Sequence, residues 1–212
     1  MTLKQISSAI TTSRKATHSN DLTSLIESGV VKQLSGEQQQ RAVARLLEVK
    51  DPAKVDSNLV TSLASLPGLT ISPVERTRFP RDADIQITLL RYDIQCEDEQ
   101  SLDRALNAVQ ASLTPLSPED IGKQLTMLAT LVVKPSGETA EDQTIRIKSL
   151  TSQLIKYPAD IVLYAVQKVA ESCTFWPAYA EFHKHIHWRI EKRQKLMDAL
   201  VSKKVALTAY SQ

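Results

Sequence analysis

The chain has 212 residues, a formal net charge of +2, 42% apolar and 24% charged side chains, values ordinary for a globular protein with a sizeable core. So small a net charge does not by itself demand nucleic acid as a partner, and no apolar run reaches the length of a membrane span. Five glycines and an aromatic content of 5% lean toward helices rather than turn-rich sheets. Cys96 and Cys173 are far apart with no C-x-x-C pairing, and the N-terminus lacks a signal-peptide core. The expectation is a cytoplasmic protein with reduced, buried thiols and no membrane partner.

In chain order, Leu3, Ile6 and Ile10 suggest a short, weakly amphipathic helix. Asp21 caps a second, which Gly29 stops. Ser35 and Gln38 stand at capping-box spacing before Ala42, Val43, Leu46 and Leu47. Asp51-Pro52 breaks that helix, and Val55, Leu59, Leu63 and Leu66 carry another. These make an N-terminal helical segment over residues 1–66. Residues 67–84 hold Pro67-Gly68, Ser72-Pro73 and Phe79-Pro80 with Arg76, Arg78 and Arg81, and read as an extended connector. Three arginines there are suited to grip phosphate or an acidic partner; the plainer reading is a solvated linker. Residues 85–212 then form a C-terminal helical domain.

Within that domain Ile85, Ile87 and Leu89 alternate like a strand, whereas Ile87, Leu90 and Ile94 fit a helix. With no second convincing strand to pair it, helix is the choice. Leu102, Leu106 and Val109 mark the next helix. Ser117-Pro118-Glu119-Asp120 starts another with a cap, a proline and two acids. Glu138 opens a further helix through Leu150 and Leu154. The fold class expected is all-α, a helical bundle or array of αα-hairpins with a long basic C-terminal helix.

The aromatic-rich stretch from Tyr157 to Lys195 organises the rest. Pro158 and Pro177 read as helix starts, each followed by an early carboxylate, Asp160 and Glu181. Ile161, Val162, Ala165, Val166 and Val169 give the first helix one apolar face, and Tyr179, Phe182, Ile186 and Ile190 stripe the second. Phe175 and Trp176 form the wedge between them, and read most simply as core. From His183 onward Lys184, Arg189, Lys192, Arg193, Lys195, Lys203 and Lys204 face only Glu191 and Asp198. Such a helix can lie along a phosphate backbone, dock on a protein, or simply be solvated with cations near its C-terminus.

Catalytic patterns are missing. His183 and His187 share a helical face, but no further ligand at usual spacing completes a zinc site, so no metal is expected. The carboxylates Asp82/Asp84 and Glu97/Asp98/Glu99 lie in polar stretches with nothing to oppose them as an acid/base pair. Phosphate-loop, dinucleotide and esterase signatures do not occur. No cofactor, small-molecule substrate or enzymatic activity is expected.

Residues 117–190 resemble the helical domain of phage and prophage replication proteins of the helicase-loader type. The residues that carry the resemblance are Tyr157, Pro158, Phe175, Trp176, Pro177 and Glu181, whose part there is mainly to shape the fold. The resemblance implies a non-enzymatic accessory protein that binds a hexameric replicative helicase and guides it onto DNA. Lys184, Arg189, Lys192, Arg193 and Lys195 are the expected contacts to DNA or partner. The rival readings are a structural or assembly adaptor with no nucleic-acid role and a DNA-binding regulator. Heptad-like spacing from Tyr179 to Leu200 leaves dimerisation open.

Overall fold

The computed structural model describes residues 32–49, 51–79 and 85–210. The chain divides into two units, Met1–Gln33 and Leu34–Gln212, and the described residues fall almost entirely in the second. The helices expected before Gly29 lie outside the described residues, as do Pro80, Arg81, Asp82 and Asp84. Among the described residues are seven helices and a two-stranded antiparallel sheet. In chain order they are α1 (Gly36–Val49), α2 (Pro52–Ala64), β1 (Leu69–Arg78), β2 (Gln86–Cys96), α3 (Glu99–Ser112), α4 (Pro118–Leu131), α5 (Ala140–Leu154), α6 (Ala159–Ser172) and α7 (Tyr179–Tyr210).

The helix starts follow local chemistry. Ser35 and Gln38 close the capping box of α1, with Gln38 N donating to Ser35 Oγ at 3.3 Å and Ser35 N to Gln38 Oε1 at 2.8 Å. Asp51 accepts from the Ala53 amide at 3.0 Å and caps α2. Ser117 accepts from Asp120 N at 3.1 Å and opens α4. The fifth helix begins at Ala140 rather than at Glu138, because Thr139 and Asp142 form a reciprocal capping box.

Hydrogen bonds to Ser101, Ser117 and Thr139 hold the exposed carboxyls of Asp98, Asp120 and Asp142, respectively, below their ordinary value of 3.8. Carboxyls lowered in the folded state contribute stability that is present above pH 3.8 and lost as pH falls through their folded values. Asp56 has the opposite sign: burial raises it despite Arg193, so acid relieves rather than harms that site. Melting temperatures measured between pH 7 and pH 2 should therefore fall below about pH 4. Asp120→Asn together with Asp142→Asn should flatten that fall.

Two expectations are corrected. The fold is mostly helical but not all-α, because residues 69–78 and 86–96 pair as an antiparallel hairpin with a register shift between Val74 and Glu75. The strand alternation of Ile85, Ile87 and Leu89 is thus the pattern the backbone follows, and the connector stretch supplies the partner strand. Leu46 and Val55, on the N-terminal side of that hairpin, lie in the same core as Ile121, Leu125, Leu154, Ile161, Phe182 and Ile186 on the other. The root of the hairpin is closed by Leu69 and Cys96, paired and both buried.

The α6 and α7 pair sits against this core as an αα-hairpin. Ile161, Val162, Ala165 and Val169 from α6 and Phe182 and Ile186 from α7 are sealed from solvent, as their helical spacing requires. Pro158 and Pro177 are buried where the chain leads into these two helices, and Tyr157 and Tyr179 join their hydroxyls at 2.6 Å. Burial, first, and that hydrogen bond raise the Tyr157 phenol well above its usual range. Phe175 departs from expectation: it is 67% exposed, placed beside Val133 by a short bridge, while Trp176 packs partly against the core. No helix among the described residues is long and apolar enough to cross a membrane.

Candidate functional site

The sequence offers one run of cations on α7, and the structure sorts it by partner. Lys184 is held by Glu181, with Nζ 2.9 and 2.8 Å from the two carboxylate oxygens. Lys195 reaches Glu191 at 2.6 Å and donates to the Leu89 carbonyl of β2 at 2.6 Å. Arg193 is 2% exposed. Its Nη1 and Nη2 meet both oxygens of Asp160 at 3.0 and 2.6 Å, Nε meets Asp56 at 2.7 Å, and Nη1 also donates to the Ser112 carbonyl at 2.6 Å.

This bidentate contact ties α7 to α6, α2 and the C-terminal end of α3 at once. Burial works against the Arg193 charge, but the bonds and charges of Asp160 and Asp56 outweigh it and keep its pKa raised. The reading of Arg193 as a surface contact is therefore corrected: the guanidinium is walled in by its own fold. Nor is the basic helix solvated all round, since Leu196, Met197, Leu200 and Val201 bury one face of its middle turns.

Arg189 and Lys192 remain. Arg189 is only 7% exposed, yet among the described residues no carboxylate pairs with it and its Nε has no hydrogen-bond partner. Its guanidinium carbon lies 4.0 Å from the ring centre of Tyr164 on α6 and 4.2 Å from that of Trp188. Two ring faces thus hold a cation that ion pairing ordinarily would. The Lys192 Nζ stands 5.9 Å over the Trp188 ring, and Lys168 Nζ stands 5.7 Å over Tyr164. Lys168 is bonded to Glu171 at 2.6 Å, which raises its pKa against the opposing charge of Arg189.

The result is a compact patch on the α6–α7 seam: two aromatic rings, one enclosed guanidinium with no counter-charge among the described residues, and an exposed lysine. Trp188 itself is 48% exposed. Chemically the patch can accept an anion beside a flat apolar surface. Of the residues expected to bind a partner, it gathers Arg189 and Lys192 and leaves out Lys184, Arg193 and Lys195. Tyr164, Lys168 and Trp188 escaped sequence reasoning. Trp188 and Lys192 stand at i, i+4, a spacing visible in sequence; the approach of Tyr164 needs the tertiary pairing of the two helices.

The described histidines form no such site. His183 and His187 stack with ring centres 5.2 Å apart, and Tyr179 lies 5.6 Å from His183. Among the described residues no group of three or more His, Cys, Asp or Glu side chains is arranged to hold a metal ion. Cys96 is buried, Cys173 is half-buried, and both are free thiols. An open groove of about 570 Å³ runs between α4 and α5, lined by Pro118, Gly122, Ile147, Thr151 and Ile155 among others. No protein-family model, curated protein or solved structure matches the chain.

Proposed function

We propose that this chain is a non-catalytic accessory protein of phage-type DNA replication, which contacts DNA itself and acts with a hexameric replicative helicase. The observation that carries the DNA contact is Arg189, a guanidinium with no carboxylate among the described residues, set between Tyr164 and Trp188 with Lys192 alongside. Aromatic faces flanked by cations suit single-stranded nucleic acid, because every base has a face to stack and every nucleotide a phosphate to neutralise. The helicase partnership rests on the resemblance carried by residues 117–190. A second reading, an assembly adaptor, draws on the exposed apolar side chains Met127, Leu131, Val133 and Phe175.

The test combines fluorescence anisotropy on a labelled single-stranded oligonucleotide with co-elution against a hexameric replicative helicase from a matching phage host. Binding that weakens steeply with added salt, and a stable complex with the helicase, are the expected results. Loss of DNA binding with the helicase complex intact would leave only a loader without DNA contact. Failure of both would favour the adaptor.

A further inference from the structure

The distal half of the β1–β2 hairpin stands clear of the protein body. From Glu75 to Arg78 every β1 residue is exposed, and so are Gln86, Ile87 and Thr88 on β2. The register sets Arg76 opposite Thr88 and Arg78 opposite Gln86. Directly opposed residues in an antiparallel pair share a face, and so do residues two apart along a strand. One face of the ribbon therefore presents two arginines, a glutamine and a threonine, with no carboxylate among these four. The other carries Thr77 against Ile87. Neither arginine has an ion pair or hydrogen bond among the described residues.

We propose that this ribbon enters the major groove of duplex DNA and reads it with the Arg76/Arg78 face. A two-stranded ribbon, its strands roughly 4.8 Å apart, fits a groove about 12 Å wide. Arginine and glutamine are the side chains whose paired donors and acceptors match guanine and adenine edges, and threonine serves either. The positive charge of this one face, on a hairpin whose charges balance overall, complements the phosphates that line the groove. A partner protein would be equally served by any cation; the alternation of arginine with neutral hydrogen-bonding side chains is what favours base edges. The site is separate from the α6–α7 patch, since it uses no residue of either helix.

Selection from a pool of randomised duplexes, followed by affinity measurements on the enriched sequence, tests the inference. The expected result is a sequence preference on duplex DNA. Arg76→Ala with Arg78→Ala should weaken duplex binding about tenfold or more and abolish most of the sequence preference. Gln86→Ala should relax the preference with a smaller loss. Unchanged thermal unfolding of the double variant, and unchanged Trp188-dependent binding of single strands, exclude a folding defect. Duplex binding that is absent, or indifferent to the double substitution, overturns the inference. Duplex reading that persists while single-strand binding is missing would instead sink the α6–α7 contact and leave this one standing.

Discussion

Replacing Arg193 with alanine is expected to lower the unfolding free energy by about 3–5 kcal/mol, the cost of leaving a buried charge without its partner. Asp160 has no exposed side-chain surface, and its carboxylate meets Arg193 through both oxygens. Removing the guanidinium also strips Asp56 and the Ser112 carbonyl of their donor. Asp160→Asn should cost more than Asp56→Asn, because the Asp56 side chain is still 24% exposed and water can take over there. The combination Arg193→Met with Asp160→Asn removes the fully buried pair, leaves only the part-exposed Asp56 charge, and should recover part of the loss. Urea unfolding followed by circular dichroism checks this, read as a shift in midpoint at constant slope. Equal and additive losses in the two single variants would show that the pair is not coupled.

Trp188→Ala is expected to weaken single-stranded DNA binding by about tenfold or more, since one stacked base contributes roughly 1–3 kcal/mol. Trp188→Phe, which keeps a ring face, should retain most of the affinity. The effect on folding should be small, because Trp188 is 48% exposed. Quenching of tryptophan emission on titration with oligothymidylate reads the contact directly. Trp176, the other of two tryptophans, packs partly against the core and supplies the steady background. Quenching that survives in the Trp188→Phe variant would place the bound strand elsewhere. Arg189→Ala should weaken binding as well, removing a charge and the support under both rings.

Much of the helical frame was legible because helix starts carry their own chemistry. Ser35 with Gln38, Asp51 before Pro52, and Ser117 before Pro118 each satisfy backbone amides that would otherwise lack partners. The hairpin was hidden for a physical reason. Its outer half buries nothing on either face, so selection for alternating apolar residues is weak there, and Pro73 sits within β1. A lone pair of strands gives little to read when neither face meets a core.

The basic run misled differently. Counted from Ile186, positions 189, 193, 197 and 200 recur on the buried side of α7, so Arg189 and Arg193 stand where apolar residues are normally found. Charge drew the eye to the residue type, whereas spacing pointed to the inside. The carboxylate that accepts Arg193 was visible too, but only as an N-terminal helix acid at Asp160. Nothing local links it to a residue 33 positions away.

Lys195 holds the Leu89 carbonyl opposite Glu75, beside the irregularity in the hairpin. It follows Trp188 by seven residues, two turns of α7, so both side chains leave the helix on one side, about 10 Å apart along its axis. The ribbon's mooring and the stacking ring therefore share one bank of a rigid strut. If both contacts hold, the preferred ligand is a fork, paired strands on the arm and an unwound tail on the indole. A forked oligonucleotide should then be held more tightly than a blunt duplex or a bare strand of the same length.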